Sequence, residues 1–279
     1  VCDSDVMTTA SPGDQASDVA VRKVKSAVRT VELLEYLAAR QDQPASIREI
    51  SAALDMPRSS AHALLRTLMA QGWVRSDDAG TLYGIGIRAL LVGTGYLDSD
   101  RYLPMITPFL DDLRQDLDET FHLGRLDGLD VVYLATRESR QYRRTASRVG
   151  RRLPAHATAL GKALLADRFG ADRDRHVPDR LQAITPHTTI DRVLLEEQLE
   201  TARIRGYATD DEENTEGVRC FAVALGYTRP AQDAISASVP LARLTPERER
   251  VIVEALCRVG DKVTRVLRPV ANGDKWFAQ

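Results

Sequence analysis

A chain of 279 residues, 43% of them hydrophobic and 28% charged, is long enough for two domains with cores of their own. No run of about 18 apolar residues could span a membrane, no export-type segment is visible, and three widely separated cysteines do not form the pattern of a disulfide framework. We therefore expect a cytoplasmic protein without a membrane partner. The net charge of −2 hides a basic segment, since residues 19–97 hold ten Lys and Arg against seven Asp and Glu, which is compatible with binding to nucleic acid.

The N-terminal part of the chain predicts a disordered tail followed by two helices. Residues 1–20 are small, polar and acidic, a composition typical of disorder. Apolar residues recur at helical spacing over residues 24–41, and the segment QDQPA ends that helix. Ser46, followed three positions later by Glu49, forms a capping box, which predicts the start of a second helix.

A third helix and a hairpin follow directly. Pro57 suits the first turn of a helix, where no backbone N–H is needed, and Gly72 ends the helix. An apolar stripe runs along one face between them and consists of Ala61, Leu64, Leu65, Leu68 and Met69. The segment WVRSDDAGTLY then alternates around a turn at residues 78–80, which predicts a β-hairpin.

Three helices and a two-stranded wing form the pattern of a winged helix-turn-helix domain. With the apolar stripe inside, the start of the third helix faces outward, where serine hydroxyls and the helix N-terminus can bind phosphates and Arg and His can reach base edges. The predicted contacts to double-stranded operator DNA are Ser46, Arg58, Ser59, Ser60, His62 and Arg66. The alternative is a degenerate winged helix that serves only as an interaction module, and the outward-facing Arg58 and Arg66 argue against it.

The rest of the chain predicts a linker helix at 86–100, a further helix up to residue 118, and then an α/β domain. The predicted strands are TFHLGRL, DVVYLATR, YRRTASRV, VRCFAVAL and DAISASVPL, and the predicted helices are HATALGKALLADR and LLEEQLETARIRG. Thr245 as N-cap and Pro246 begin a long closing helix. A mixed sheet flanked by helices is typical of a sensor domain.

Several ordered motifs resemble those of one family, the IclR family of bacterial transcriptional regulators, over roughly residues 21–267. The motifs are the winged helix followed by YGIGIRALLVG, RLPAHATALGKALLA, GYATDDEEN, GVRCFAVAL and SASVPLARLT. The resemblance implies an α+β protein, in which an N-terminal winged helix-turn-helix domain is joined by a linker helix to a C-terminal GAF-like α/β effector domain. It also implies a homodimer or homotetramer that binds operator DNA and a small-molecule effector.

The expected organisation divides the chain into five parts. They are a tail at 1–20, the DNA-binding domain at 21–85, the linker helix at 86–100, the effector domain at 101–268 and a C-terminal tail at 269–279.

The resemblance further implies an effector site. The family's four polar positions correspond to Asp210, Cys220, Ser236 and Ser238, and its apolar patch corresponds to Tyr142, Thr145, Ala159 and Leu160. The two serines share one face of a strand, and the start of the helix at 159–167 supplies backbone N–H groups that suit a carboxylate. We therefore expect an organic acid between that strand and that helix, and no cofactor.

Two departures from the family pattern leave the identity of the effector open. Val239 stands where the family often has glycine, and Tyr142 and Thr145 stand where aliphatic residues are common.

The main alternative function is a thiol-dependent enzyme. Cys220 and His156 could form a thiol–imidazole pair, but no third orienting group stands at a recognised spacing, so we expect a regulator with no catalytic residues. The five histidines, at positions 62, 122, 156, 176 and 187, show no metal-ligand spacing, and no metal is expected. The acidic run that begins at Asp210 is typical of a solvated loop.

Overall fold

The computed structural model describes residues 24–40, 42–141 and 149–273 and divides the chain into two compact units, Val1–Gly95 and Tyr96–Gln279. The predicted tail at 1–20 and residues 142–148 of the predicted strand YRRTASRV lie outside the described residues. Each unit has a hydrophobic core. Within the described ranges, no helix is long and apolar enough to cross a membrane.

The N-terminal unit is a winged helix-turn-helix domain, as predicted. Its elements are α1 Lys25–Ala39, β1 Ala45–Ser46, α2 Ile47–Ala53, α3 Arg58–Ala70, β2 Val74–Ser76 and β3 Leu82–Ile85. The wing is an antiparallel sheet in the order β1-β3-β2, so the predicted hairpin gains a third, very short strand.

The apolar stripe of α3 forms the centre of this unit's core. Ala61, Leu65 and Leu68 are buried, and Leu64 is half-buried against the same cluster. Met69, which we predicted as part of the stripe, is 37% exposed, because it lies about 100° around the helix from Leu68.

The next two helices in the chain are α4 Ile87–Ser99 and α5 Leu103–Leu117. The boundary between the units falls inside α4, which is the predicted linker helix. Every residue of α4 is at least partly exposed, and Ile87, Leu90, Leu91 and Val92 are 59–69% exposed.

The C-terminal unit is built on a six-stranded sheet in the order β6-β5-β4-β9-β8-β7. The strands are β4 Thr120–Asp127, β5 Asp130–Arg137, β6 Arg152–Pro154, β7 Ala208–Asp211, β8 Val218–Ala224 and β9 Asp233–Pro240. The helices are α6 Ala159–Ala166, α7 Gly170–Asp174, α8 Arg192–Arg205 and α9 Pro246–Asn272. One core lies between the sheet and α5 and α9, and a second lies between the sheet and α6 and α8.

Three features of this unit differ from the sequence prediction. The sheet is antiparallel throughout rather than mixed, because β4 and β5, and likewise β8 and β9, are hairpin neighbours. The first two residues of the acidic run at Asp210 belong to a strand, β7, and α9 continues to Asn272, into the predicted C-terminal tail at 269–279. The last turn of α9 is held because Val270 and Ala271 pack against the core.

Candidate DNA-binding surface and effector cavity

The outer face of α3 carries most of the predicted DNA contacts. Arg58, Ser59, His62 and Arg66 are exposed, whereas Ser60 is half-buried. These side chains are exposed because the buried stripe occupies the opposite side of the helix.

The N-terminus of α3 is open. Its N-cap is Pro57, and among the described residues no side chain caps the first backbone N–H groups. Uncapped N–H groups at a helix start favour a nearby negative charge, and Arg58 and Ser59 lie next to them.

Ser46 has a different position from the other predicted DNA contacts. Its hydroxyl accepts the Glu49 N–H at 3.3 Å and donates to the Glu49 carboxylate at 2.8 Å. That carboxylate also bonds to the Ser46 N–H and to Arg40. The capping box is confirmed, and the Ser46 side chain is committed to holding the start of α2.

The wing is closed by one aspartate. Asp77 accepts the backbone N–H groups of Thr81 and Leu82 at 2.7 and 2.9 Å, and its other oxygen accepts the Thr81 hydroxyl. The hydrogen bond from the Leu82 N–H makes the largest contribution to lowering the pKa of Asp77. Gly80 completes the turn with a φ of 68°, a conformation that favours glycine.

The C-terminal unit contains a cavity of about 50 Å³ at one end of its sheet, on the face that also carries α6. The strands contribute Thr120, His122, Tyr133, Asp210, Cys220 and Ser238 to its lining, and Arg151 and Arg243 complete the polar wall. We call this space the sheet-end cavity.

Three of the eight predicted effector contacts lie at this cavity, namely Asp210, Cys220 and Ser238. They lie side by side because Cys220 pairs with Asp210 across β7 and β8 and with Ser238 across β8 and β9. The Cys220 sulfur lies 3.2 Å from the Ser238 hydroxyl oxygen. Tyr142 and Thr145 are outside the described residues.

The other three predicted contacts are buried where α6 packs against the sheet. Ser236, Ala159 and Leu160 are at most 3% exposed and do not line the cavity. A Cβ placed on Gly124 would lie 2.9 Å from a Leu160 methyl group, so α6 packs directly on the sheet. We expected a ligand between the Ser236 strand and the start of α6, but side chains fill that space, and the open volume lies farther along the strands.

The start of α6 is also already capped. The Thr158 hydroxyl accepts the Gly161 N–H at 3.0 Å, and every residue of the helix is buried. The helix N-terminus that we predicted as the carboxylate site is therefore occupied by the chain's own side chain.

Asp210 is the most perturbed acid of the cavity. It is 3% exposed, and burial raises its pKa to about 7. Hydrogen bonds from the N–H groups of Asn214 and Glu213 favour the ionised form and offset part of this rise in pKa. The nearby Lys162 forms a buried ion pair with Glu213. The pKa of Asp210 in the folded protein lies above its ordinary value of 3.8, so protonation of this carboxyl group stabilises the fold. This stabilisation is complete below pH 3.8 and is lost as the pH rises through about 7.

His122 and Tyr133 supply an aromatic wall that the sequence interpretation missed. Their ring centroids are 4.7 Å apart. Burial, followed by the charge of Arg151, lowers the pKa of His122 to about 3, so its ring is neutral near pH 7. Burial also raises the pKa of Tyr133, whose hydroxyl therefore remains a donor. The sequence contained one indication of this wall: side chains alternate between the two faces of a strand, so Thr120 and His122 of β4 lie on the same face.

Two arginines line the cavity. Arg151 lies on its wall, and Arg243 bonds to Glu119 at 2.7 Å and to Gln141. None of the eight effector contacts predicted from the sequence is a cation, so these two arginines are an addition to the predicted site. Arg243 is already paired with Glu119, and the acids Asp210 and Glu138 also line the cavity.

The thiol–imidazole alternative does not fit the geometry. His156 Nε2 lies 3.0 Å from the Gln182 carbonyl oxygen, and the ring is 2% exposed beside α6 rather than at the cavity. Among the described residues, no group of three or more His, Cys, Asp or Glu side chains could hold a metal ion.

A winged helix that exposes a basic recognition helix, in one chain with an α/β unit that encloses a polar cavity, defines the class of ligand-responsive DNA-binding regulators. Comparison with protein families agrees with this class. Residues 26–78 match the IclR helix-turn-helix domain, and residues 94–265 match the C-terminal domain of the bacterial transcriptional regulator IclR. The chain belongs to the IclR family of bacterial transcriptional regulators, and its relatives are regulators rather than enzymes.

Individual relatives are similar over nearly their whole length. The transcriptional repressor IclR of Escherichia coli (strain K12) is 31% identical over 253 residues, which cover 89% of this chain and 92% of that protein. The repressor AllR of Salmonella typhimurium is 32% identical over 247 residues, which cover 88% and 90%. The crystal structure of an IclR homologue complexed with 4-hydroxybenzoate, from Microbacterium hydrocarbonoxydans, superimposes with a TM-score of 0.71 at 22% identity and covers 88% of this chain and 99% of that one.

Proposed function

We propose that this chain is a cytoplasmic regulator that binds operator DNA through α3 and the wing, and that a small organic acid in the sheet-end cavity controls this binding. The observation that carries the proposal is the pairing of an open, basic recognition helix with a separate cavity that contains cations, hydroxyls and a titrating carboxyl group. The repressors among its relatives support a role at an operator.

The proposed DNA contacts are divided between phosphates and bases. Ser59 and the uncapped N–H groups at the start of α3 are placed for phosphate, while His62 and Arg66 lie further along the exposed face, where a helix in the major groove meets base edges. Arg58 is at the helix tip and can serve either partner.

Replacing Arg58 or Arg66 with alanine is expected to weaken operator binding without unfolding the N-terminal unit, since both side chains are exposed. Loss of a base contact costs about 1–3 kcal/mol and relaxes specificity at one position, whereas loss of a phosphate contact weakens all sequences alike and lowers the salt dependence. Binding is measured by gel shift over a range of salt concentrations, on an operator selected from random duplexes. Arg258→Ala, an exposed arginine of the C-terminal unit, is the control, and equal affinities for all three variants would contradict the assignment of α3.

We propose a homodimer or homotetramer as the binding form. The apolar residues of α4 support this proposal, because a helix with four large aliphatic side chains more than half exposed is stabilised when a second copy covers it. A two-fold assembly reads two half-sites separated by about one helical turn or a multiple of it. In the same gel-shift series, a duplex with a single half-site should therefore bind much more weakly than the complete site.

The proposed effector is a compact carboxylate. A cavity of about 50 Å³ accommodates only a small molecule. Arg151 and the Tyr133 hydroxyl supply the charge and a donor for an anion, and the neutral His122 ring adds an apolar wall. The aromatic acid bound by the homologue of the same fold supports an acid as the ligand class.

The affinity for such an acid is expected to fall about tenfold between pH 6 and pH 8. An anion beside Asp210 favours its protonated form, and this carboxyl group loses its proton as the pH passes about 7. His122 does not titrate in that range, because its pKa is about 3. The measurement is calorimetric titration at several pH values, after a thermal-shift screen of acetate, lactate, pyruvate and 4-hydroxybenzoate.

Asp210→Asn keeps the oxygen that accepts the Glu213 N–H but cannot ionise, so the variant should bind the same acid with little pH dependence. Asp211→Asn is the matched control, since Asp211 is exposed and bonds to Arg219 outside the cavity. A pH profile that is the same in the Asp210→Asn variant and in the wild type would place the titrating group elsewhere.

A further inference from the structure

A second polar depression, of about 1020 Å³, lies in the C-terminal unit. It is formed by α7 and the residues on either side of it, the loop between β8 and β9, and the last turns of α9. We call it the basic groove, because its lining includes four arginines, Arg168, Arg175, Arg229 and Arg268, and a single acid, Asp172. None of its lining residues is shared with the sheet-end cavity.

Arg168 is the buried anchor of the groove. The residue is 6% exposed, and its Nη1 donates to the carbonyl oxygens of Leu164 and Ala231, both at 2.8 Å. Its Nε has no hydrogen-bond partner within the described part of the chain, and the nearest carboxylate oxygen, on Asp172, lies 3.7 Å away. A guanidinium held this deeply with an unused donor is costly unless an anion approaches it.

Two carboxylates lie near Arg168, those of Asp172 and Asp167, and both also bond to other groups. Asp172 lies closer to Arg175, at 2.8 Å, so one carboxylate serves two guanidinium groups. Arg268 bonds to the neutral Gly226 carbonyl at 3.0 Å, and Arg229 is exposed. The groove is therefore positively charged, with a fixed guanidinium at its base and two adaptable ones at its rim.

We propose that the basic groove binds a small anion with more than one negative charge, of the phosphate or polycarboxylate type, at a site separate from the sheet-end cavity. Guanidinium groups bind such anions through paired, charge-assisted hydrogen bonds. Arg168 supplies the buried charge, and Arg229 and Arg268 close over the ligand from the loop and from α9.

The test uses inorganic pyrophosphate as the probe, with the full-length protein at constant ionic strength. Calorimetric titration should give saturable binding at one site per chain in the wild type and in an Arg58→Gln/Arg66→Gln variant, which removes the other candidate phosphate contacts. Arg229→Gln/Arg268→Gln should weaken binding at least about tenfold, because two charged hydrogen-bond donors are lost. Both side chains are exposed, so this variant should fold.

The matched control is Arg258→Gln/Arg265→Gln, which removes the same charge from exposed positions of α9 outside the groove. It should leave the affinity for pyrophosphate within about twofold of the wild type. Absence of saturable binding in the wild type, or an equal loss in the control variant, would overturn the proposal. A change in oligomeric state on Arg229→Gln/Arg268→Gln without pyrophosphate binding in the wild type would also overturn it, and would identify the groove as a protein contact.

Discussion

Replacing Arg125 with methionine is expected to lower the free energy of unfolding of the C-terminal unit by about 3–5 kcal/mol. The guanidinium bonds to both oxygens of Asp233 at 2.7 Å and to Asp100 at 2.5 Å. Asp233 is fully buried and Asp100 is 7% exposed, so the variant leaves two carboxylates without their cation. Urea unfolding, followed by circular dichroism, measures the change.

The arginine is held in its charged state by this arrangement. Burial alone would lower the pKa of Arg125, but the hydrogen bonds and charges of Asp233 and Asp100 raise it above its ordinary value. Asp100 also accepts the N–H groups of Tyr102 and Leu103, at 2.9 and 2.8 Å, at the start of α5. The network therefore joins the paired ends of β4 and β9 to the chain between α4 and α5.

Two further variants distinguish the loss of this buried ion pair from an unspecific loss of stability. Asp233→Asn in the Arg125→Met background should recover part of the lost stability, because one uncompensated charge is removed. Arg250→Gln is the surface control, since Arg250 is exposed on α9 and bonds there to Glu247 and Glu254, and its effect on the urea midpoint should be small. A loss in Arg125→Met no larger than that of the surface control would contradict the prediction.

Gly161→Ala should destabilise the C-terminal unit by about 3 kcal/mol or more. A Cβ on Gly161 would lie 2.1 Å from the Ala155 carbonyl oxygen and 2.3 Å from its Cα, and these are backbone atoms that no side-chain rotation can move. The 3₁₀ turn at Ala155–Ala157 and α6 would have to separate, although both are buried. The measurement is the same urea titration.

The matched control is Gly95→Ala, where a Cβ meets no atom within 4 Å. That position is inside α4, and alanine there should stabilise the helix by about 0.5–1 kcal/mol relative to glycine. If Gly161→Ala were as well tolerated as Gly95→Ala, the close contact between α6 and the turn before it would not be a constraint on this fold.

Local sequence patterns predicted the N-terminal unit almost completely. Three features of this unit involve only residues that are close together in the sequence, namely the Ser46 capping box, the apolar stripe from Ala61 to Leu68 and the turn at Gly80. Such features can be identified without the rest of the chain. The outward direction of Arg58 and Arg66 followed from the stripe alone, because a helix buried on one side exposes the other.

The cavity depended on contacts that no local pattern contains. Asp210, Cys220 and Ser238 are brought together by strand pairing between segments far apart in the chain, and Asp210 stands in an acidic run that resembles a solvated loop. The family resemblance located these three residues, but it also included Ser236, Ala159 and Leu160, which α6 seals into the core. The period of two along β4 places His122 on one face with Thr120, but which face borders the cavity, like the position of Arg151 just before β6, depends on segments far apart in the chain.

The sequence by itself therefore determined the family, the winged helix-turn-helix fold and the exposed face of α3, since these depend on short-range periodicity, capping and ordered motifs. Only the tertiary structure decided where the open volume lies and which charges face it. The reason is physical: helix periodicity and caps are properties of neighbouring residues, whereas a cavity is the space that remains after distant segments have packed. The same holds for the pKa of Asp210 and for the charge of the basic groove, because burial and the approach of distant side chains determine both.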